Sequence, residues 1–340
     1  METSPIEILI TLPVEESLLD TLRQVSPRLH ITVAPAKTAK DIAEKLWNSA
    51  EILYTGRLLP EPGMVPSLRW IQFHLAGIEF VLNSPIIKMP DLILTTVSGS
   101  NAGPLAEYVV MMLLALGHKM PQLVENQRRA EWPSDRWERF MACELRNSTI
   151  GLVGYGSIAR EVARLLQPFG AKILAAKRDA MHPEDTGYTP EGLGDPRGDL
   201  FHRLYPIEAL CSMLKECDFV VNTLPYTPAT RNRIGAEELA AMKSGAYLIN
   251  VGRGGTIDQN ALIKALQDGK LAGAALDVFA EEPLPPGNPL WKLPNVLITP
   301  HISDSTPSYD ARTMQLFAEN LRRYLDGKEL LNRFDPQRGY

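Results

Sequence analysis

The sequence predicts an α/β protein with two domains, each built on a doubly wound parallel sheet. Short apolar runs alternate with amphipathic segments from the start of the chain, and after a polar connection the alternation restarts at Thr149. Strands that alternate with helices are typical of parallel sheets covered on both faces. The 340 residues are enough for two domains of ordinary size.

In the first part of the chain, apolar runs between Pro, Gly and polar turns predict strands. These strands are Ile6–Thr11, Glu51–Thr55, Arg69–His74 and Leu92–Thr96, and the helices are Glu15–Val25, Lys40–Ser49 and Asn101–His118. A polar, tryptophan-bearing connection over Pro121–Ser148 follows the third helix.

The second series of elements is more regular. Its predicted strands are Thr149–Val153, Ala171–Ala176, Phe219–Thr223, Tyr247–Val251, Ala272–Asp277 and Val296–Thr299, and its helices are Ile158–Gln167, Ala236–Met242 and Gln259–Gln267. Pro and Gly are too frequent in Met181–Arg203 for a regular element, so we expect a long surface insertion there. A lid and a mobile loop without function are both open interpretations of it. A last helix is predicted at Thr306–Leu325.

Charge and composition exclude several classes of partner. The net charge of −5 provides no basic field for nucleic acid. No apolar run approaches the roughly 20 residues that span a bilayer, and the first residues lack a secretory signal. The three cysteines form no CxxC pair and no zinc-type cluster. We therefore expect a cytoplasmic protein with no nucleic-acid, membrane or metal partner.

A glycine-rich segment lies between the first strand and first helix of the second series. Gly154, Gly156 and Ala159 fit the G-x-G-x-x-G/A fingerprint of dinucleotide-binding Rossmann folds. Gly154 permits the tight turn, and Gly156 lets the backbone approach a pyrophosphate. The amides of Ser157 and Ile158 at the helix N-terminus would face that anion.

The end of the next strand bears on which dinucleotide binds. Lys177 and Arg178 suit the 2′-phosphate of NADP, whereas Asp179 suits the free ribose diol of NAD. Two cations against one carboxylate favour NADP over NAD, and NAD remains open.

Three residues after later strands have the chemistry needed to reduce a 2-keto acid. Arg253 can hold a carboxylate in a two-pronged contact. His301 can donate a proton near neutral pH, and a carboxylate such as Glu282 favours the charged ring. Ligands of open α/β sheets bind at the carboxyl ends of strands, where all three residues are predicted to lie.

The chain resembles the D-isomer-specific 2-hydroxyacid dehydrogenase family, which includes phosphoglycerate dehydrogenases and glyoxylate/hydroxypyruvate reductases. The resemblance covers nearly the whole chain and rests on five segments in the family's order: Thr149–Ala159, Asn222–Arg231, Asn250–Gly255, Gly273–Pro285 and Thr299–Ile302. It implies an NAD(P)-dependent oxidoreductase that interconverts a small 2-keto acid and its D-2-hydroxy acid.

The resemblance also implies the roles of individual residues. Arg253 would orient the substrate carboxylate, and His301 would be the acid/base supported by Glu282, the glutamate directly before the proline. The remaining cofactor contacts would be Val251, Asp277 and Ser303 at the nicotinamide end, with Leu224 and Pro225 near the adenine or phosphates. The remaining substrate contacts would be the amides of Leu75, Ala76 and Gly77. Apart from the resemblance, Arg57 at a strand end of the first domain is a candidate selector of the substrate side chain, and an exposed surface arginine is the alternative interpretation.

The family's organisation implies that the dinucleotide domain is inserted into the substrate domain. The substrate domain would comprise residues 1–99 and 303–340, and the NAD(P)-binding domain residues 100–302. Homodimers would form through the cofactor domain, including the helix Asn101–His118. Asp304 departs from the family pattern and has no assigned role.

Two alternatives share this fold. One is a dinucleotide-sensing binding protein similar to the corepressors that resemble this family. The other is oxidation of phosphite or formate; formate dehydrogenases carry glutamine where this chain has Glu282, so the glutamate favours hydroxy acids.

Overall fold

The computed structural model describes residues 4–340, which fall into two compact units. The first unit contains the residues up to Asn101 together with Thr306–Tyr340, and the second is Ala102–Ser305. These boundaries lie two and three residues from the predicted ones at 99/100 and 302/303. No helix among the described residues is long and apolar enough to cross a membrane.

The first unit contains a five-stranded parallel sheet in the order β2-β1-β3-β4-β5, which is the flavodoxin-like order. Its strands are β1 (Ile6–Ile10), β2 (Leu29–Val33), β3 (Ile52–Thr55), β4 (Trp70–Phe73) and β5 (Ile93–Thr95), and its helices are α1 (Glu16–Arg23), α2 (Glu44–Ser49) and α10 (Tyr309–Leu325).

The second unit contains a seven-stranded parallel sheet in the order β12-β11-β10-β9-β6-β7-β8, the doubly wound Rossmann arrangement with one more strand. Its strands are β6 (Thr149–Val153), β7 (Lys172–Lys177), β8 (Arg203–Pro206), β9 (Phe219–Asn222), β10 (Ala246–Asn250), β11 (Leu271–Leu276) and β12 (Val296–Ile298). Its helices are α3 (Ala102–Gly117), α4 (Met120–Arg128), α5 (Arg136–Arg139), α6 (Ser157–Leu166), α7 (Leu210–Leu214), α8 (Ala236–Ala241) and α9 (Gln259–Gln267). The predicted fold class is confirmed.

Each sheet is covered on both faces, so its central strands are apolar throughout. In β10, for example, Leu248 enters the core on one face and Ile249 the core on the other. Helix α6 is strongly amphipathic and buries Val162 and Leu166 against the sheet. The carboxyl ends of β6 and β9, where the strand order reverses, therefore lie at one edge of a rigid layer.

Several elements differ from the sequence prediction. The connection expected over Pro121–Ser148 contains α4 and α5, and the strands β2 and β8 and the helix α7 were not predicted. Strand β2 pairs only with β1 and is mostly half-exposed, so its apolar pattern is weak. The helix predicted at Lys40–Ser49 is split, because Thr38 and Asp41 cap a separate short turn before α2.

The Met181–Arg203 insertion is tied to helix α6 rather than loosely attached. Arg160 on α6 is 1% exposed and donates to the carbonyl oxygens of Asp195 at 2.6 Å and Pro183 at 2.5 Å. Glu161 accepts the backbone N–H of Gly194 at 2.6 Å. These buried contacts favour a fixed part of the second unit over a mobile loop.

Candidate active site

Three neighbouring strands of the second unit position the residues with acid–base and carboxylate-binding chemistry. Arg253 follows β10, Glu282 follows β11 and His301 follows β12. Because β10, β11 and β12 are adjacent and parallel, their carboxyl ends meet at one edge of the sheet.

His301 and Glu282 form a direct pair. His301 Nδ1 lies 2.8 Å from Glu282 Oε2, and the two side chains are 46% and 36% exposed. The other carboxylate oxygen of Glu282 accepts the backbone N–H of Phe279 at 2.9 Å, which fixes the carboxylate. With Nδ1 engaged, Nε2 is the ring nitrogen that faces away from Glu282 and can meet a ligand.

Asp277 holds the turn that carries His301. Its buried carboxylate accepts the Thr299 hydroxyl at 2.6 Å and the backbone N–H groups of Ile302 and Ser303 at 3.0 and 3.1 Å. It also accepts the hydroxyl of Ser303 at 2.5 Å. His301 has φ +50°, a left-handed conformation that is uncommon outside glycine and that strong local bonding must maintain.

The Arg253 loop is held by a buried amide network at the ends of β9 and β10. Asn222 donates to Asn250 Oδ1 at 2.9 Å and to the Thr256 hydroxyl at 2.7 Å. Thr256 in turn donates to the carbonyl oxygen of Arg253 at 2.6 Å. The guanidinium of Arg253 donates to the carbonyl oxygen of Gly252 at 2.9 Å.

The loops along this edge are packed backbone to backbone. A Cβ atom on Gly252 would lie 2.6 Å from the carbonyl oxygen of Leu224, and one on Gly254 would lie 1.9 Å from the carbonyl carbon of Phe279. Only glycine permits such approaches. The contacts join the loops after β9, β10 and β11 into one continuous rim that ends at the Glu282–His301 pair.

The fingerprint loop after β6 adjoins the same rim. Gly154 has φ +91°, and a Cβ there would lie 3.1 Å from Leu224 Cδ2. Gly156, the residue before α6, supplies no side-chain cap, and a Cβ on it would meet nothing within 4 Å. The start of α6, with the amides of Ser157 and Ile158, therefore has open space beside Gly156 and no cap from that residue. This cradle fits the pyrophosphate of a dinucleotide.

Residues at the end of β7 and just after it form hydrogen bonds with the insertion that follows. The Lys177 ammonium donates to the carbonyl oxygens of His182 at 2.6 Å and Glu184 at 3.3 Å. Asp179 Oδ2 lies 2.8 Å from His182 Nδ1. Arg178 is exposed and directly follows the last residue of the strand.

The predicted substrate residues of the first unit lie at one edge of its sheet, after β3 and β4. Arg57 places its guanidinium carbon 5.2 Å from the ring centre of Phe80, a cation–π contact. The carbonyl oxygen of Leu75 accepts the N–H of Val97 at 3.2 Å, and Ala76 is exposed.

Sequence reasoning missed the residues that support the site. Asn222 and Asn250 close two otherwise apolar strands, FVVN and AYLIN, and that change of polarity is a signal that could have found them. Tyr108, whose hydroxyl lies 2.6 Å from that of Thr299, has no comparable signal because it lies 191 residues away along the chain.

A dinucleotide cradle beside a histidine–glutamate pair, on the carboxyl edge of a doubly wound sheet, defines a nicotinamide-dependent oxidoreductase. Residues 110–303 match the family model for "D-isomer specific 2-hydroxyacid dehydrogenase, NAD binding domain". The chain belongs to the D-isomer specific 2-hydroxyacid dehydrogenase family. This confirms the predicted family and class of enzyme, with a nicotinamide dinucleotide as cofactor.

Similar proteins act on several small acids. The chain is 32% identical to D-3-phosphoglycerate dehydrogenase of Methanocaldococcus jannaschii over 95% of its own length, although it spans only 58% of that protein. It is 33% identical to glyoxylate reductase of Thermofilum pendens, over 77% of this chain and 74% of the relative. A solved D-isomer specific 2-hydroxyacid dehydrogenase from Xanthobacter autotrophicus Py2, in complex with NADPH and MES, is 28% identical with a TM-score of 0.80 and covers 99% of this chain and 100% of its own.

Proposed function

We propose that this protein reduces a small 2-keto acid, of about the size of glyoxylate or hydroxypyruvate, to its D-2-hydroxy acid with NADPH as the favoured reductant. The observation that carries the proposal is the 2.8 Å pair of His301 and Glu282 on the rim that also holds the dinucleotide cradle. The similarity to a glyoxylate reductase supports the size of the substrate.

His301 is the proton donor of the proposed reaction. When bound in the cradle, a reduced nicotinamide dinucleotide would provide the hydride that the keto carbon accepts. His301 gives the Nε2 proton to the keto oxygen, and Glu282 stabilises the imidazolium before the transfer. Water then restores the proton on the ring, so that one hydride and one proton are added to each keto acid.

Arg253 orients the substrate carboxylate, because a guanidinium can offer a carboxylate two parallel N–H bonds. The network of Asn222, Asn250 and Thr256 holds the loop and bonds to the backbone of Arg253, so the side chain starts from a fixed position. The expected contacts of the dinucleotide with Val251, Asp277, Ser303, Leu224 and Pro225 stay proposals. The expected roles of Leu75, Ala76, Gly77 and Arg57 in the first unit, and the cytoplasmic location, stay predictions.

The preference for NADPH rests on charge at the end of β7. Lys177 and Arg178 provide two cations there, against the single carboxylate of Asp179. The similar structure from Xanthobacter autotrophicus holds NADPH, which supports this choice.

Steady-state rates with NADPH and NADH against glyoxylate, hydroxypyruvate and larger 2-keto acids test the proposal. We expect the highest kcat/KM with NADPH and one of the smaller acids. A higher kcat/KM with NADH would overturn the cofactor preference alone. Inactivity across the panel, with dinucleotide still bound, would favour a dinucleotide-sensing protein over an enzyme.

We also propose a homodimer formed through the second unit. Apolar side chains line a groove on the outer surface of α3 and α6: Val110, Met111, Leu114, Leu165 and Phe169. Met111 is 52% exposed, and Met120 nearby is 43% exposed. A second copy that covers this groove would bury those side chains.

Light scattering on the purified chain tests the dimer. We expect twice the chain mass of 37.7 kDa for the wild type and one chain mass for Met111→Glu. Met181→Glu is the matched control, because Met181 is 84% exposed in the insertion, outside the groove. A monomeric wild type, or a Met111→Glu variant that still dimerises, would contradict the proposed interface.

A further inference from the structure

The insertion after β7 closes back on the strand end that faces the adenosine ribose in dinucleotide folds. The Lys177 ammonium binds the carbonyl oxygens of His182 and Glu184 at 2.6 and 3.3 Å, which makes a closed loop of residues 177–184. Burial is the largest cause that lowers the pKa of Lys177. Lys177 therefore ties the start of the insertion to the end of its own strand.

Asp179 is the residue on this loop that would normally favour NAD. An acidic residue near this strand end accepts hydrogen bonds from the free ribose diol and repels a 2′-phosphate. Here Asp179 Oδ1 accepts the backbone N–H of Met181 at 3.2 Å, and Oδ2 lies 2.8 Å from His182 Nδ1. Both carboxylate oxygens are thus engaged by the insertion.

His182 is held in position through Pro183, the residue that follows it. The neighbouring carbonyl oxygen of Pro183 accepts Arg160 Nη2 at 2.5 Å, and Arg160 is almost wholly buried. The fingerprint loop takes part as well, since the hydroxyl of Tyr155, between the two fingerprint glycines, donates to Asp195 Oδ2 at 2.7 Å. Asp195 also accepts the backbone N–H groups of Gly198, Asp199 and Leu200. The phosphate cradle and the insertion are one connected structure.

We propose that the insertion sets the dinucleotide preference through His182, which pairs with Asp179 and so holds on the insertion a carboxylate that would otherwise accept the ribose diol of NAD and repel the 2′-phosphate of NADP. His182 is then a specificity-determining residue that acts through Asp179, and Arg178 is the cation that contacts the phosphate. This inference rests on the proposed NADPH preference. It explains how a chain with an acidic residue two positions beyond the end of β7 can favour NADP.

A double-mutant cycle tests the coupling. The dissociation constants of NADPH and NADH are measured by titration calorimetry for the wild type, His182→Ala, Asp179→Asn and the double variant. The pair is exposed, with side chains 78% and 57% accessible, so we expect an effect of about 2- to 5-fold. His182→Ala weakens NADPH by that factor and leaves NADH unchanged or tighter, whereas in the Asp179→Asn background the same change has less than about a twofold effect.

His182→Gln tests whether a hydrogen-bonding side chain at this position is sufficient, because the amide can still donate to Asp179. We expect an NADPH affinity between those of the wild type and His182→Ala. His30→Ala is the matched control, since His30 forms a similar exposed pair with Glu7 at 3.1 Å in the first unit. It should change neither dissociation constant.

Equal losses of NADPH and NADH affinity in His182→Ala, or the same loss with and without Asp179→Asn, would overturn the inference. The proposed function fails in other ways. A wild type that binds NADH more tightly contradicts the NADPH preference, and one without turnover contradicts the enzymatic proposal. Neither result alters the change in NADPH affinity that His182→Ala causes with and without Asp179→Asn. That change alone decides the role of His182.

Discussion

Each unit has a histidine beside a carboxylate at the end of a parallel strand, and the two pairs differ in their surroundings. His301 follows β12, and its Nδ1 lies 2.8 Å from Glu282 Oε2. His74 follows β4, and its Nε2 lies 3.3 Å from Asp310 Oδ1. The side chain of His301 is 46% exposed, whereas that of His74 is 20% exposed. The same residue types therefore meet very different amounts of water.

His74 is held as a neutral ring. Its Nδ1 lies 2.6 Å from the hydroxyl of Tyr54, which is wholly buried. Burial lowers the pKa of His74 and raises that of Tyr54. The phenol therefore keeps its proton, and its O–H donates a hydrogen bond to Nδ1 of His74. The Nε2–H can then donate to Asp310, and Tyr309 donates to the carbonyl oxygen of His74 at 3.0 Å. This histidine connects β4 with the start of α10.

His301 has a charged partner, access to solvent and an uncommon backbone conformation. Phe279 fixes the second oxygen of Glu282, and Asp277 holds the turn in which His301 adopts φ +50°. In the proposed mechanism, the proton that this ring gives up can be replaced from water after each turnover. With His301 in that proposed role, the comparison indicates that a neighbouring carboxylate does not by itself make a histidine an acid–base group. Exposure of the free ring nitrogen is needed as well.

Among the variants that test this comparison, the one at His301 is expected to have the largest effect. We expect His301→Ala to lower kcat by roughly 10²–10⁴-fold, because no other group would give the keto oxygen its proton. Dinucleotide affinity should stay within about twofold, since the cradle lies on the loop after β6. Steady-state rates and calorimetric dissociation constants measure the two quantities. Near wild-type turnover in this variant would remove His301 from the mechanism.

A smaller effect is expected at Glu282. Glu282→Gln keeps a hydrogen-bonding group beside His301 but removes the charge, and a charge-assisted bond contributes about 1.5–3 kcal/mol, or roughly 10- to 100-fold in kcat. Steady-state rates measure this loss of kcat.

The corresponding change in the first unit is the control. Asp310→Asn removes the charge beside His74, and we expect kcat to stay within about twofold of the wild type. If Asp310→Asn lowered kcat as far as Glu282→Gln does, the contrast between the two histidines would be wrong.

The sequence predicted most of the second unit because its central strands are buried on both faces. Strands β6, β9 and β10 read as unbroken apolar runs that end at a glycine or a polar residue, and their predicted bounds differ from the observed ones by at most one residue. The outer strand β8 pairs only with β7 and has one buried residue in four, so nothing in its pattern separates it from the insertion before it.

The site was predicted only at the level of residue types at strand ends. Arg253, Glu282 and His301 each follow a recognisable strand, and motif order singled them out. The support around them depends on tertiary contacts that no local pattern encodes. Asp277, for example, was expected to contact the cofactor, yet the structure engages its carboxylate in four hydrogen bonds to the turn around His301.

A still smaller effect, on stability, is expected at Tyr54. Tyr54→Phe removes the 2.6 Å hydrogen bond to Nδ1 of His74 and leaves that nitrogen only the more distant hydroxyl of Thr313 at 3.5 Å, which should lower the free energy of unfolding by about 1–3 kcal/mol. Tryptophan fluorescence in urea reports this unit selectively, because Trp47 and Trp70 are wholly buried in it. The tryptophans of the second unit are already more than half exposed: Trp132, Trp137 and Trp291. An unchanged midpoint would mean that the hydroxyl contributes nothing at this position.

The same histidine gives the smallest effect, a pH dependence of definite sign. Because the native pKa of His74 lies below its ordinary value of 6.5, the unfolded chain binds a proton that the native chain does not as the pH falls below that value. The stability contribution of the neutral ring is therefore complete above pH 6.5 and is lost on acidification toward the native pKa. We expect the His74→Gln variant to have a lower urea midpoint than the wild type at about pH 7.5. Between about pH 7.5 and pH 5.5, however, the midpoint of the variant should fall by less than that of the wild type. An equal fall of the midpoint in both proteins would mean that protonation of His74 does not destabilise the native state. Burial would then not be the difference between His74 and His301.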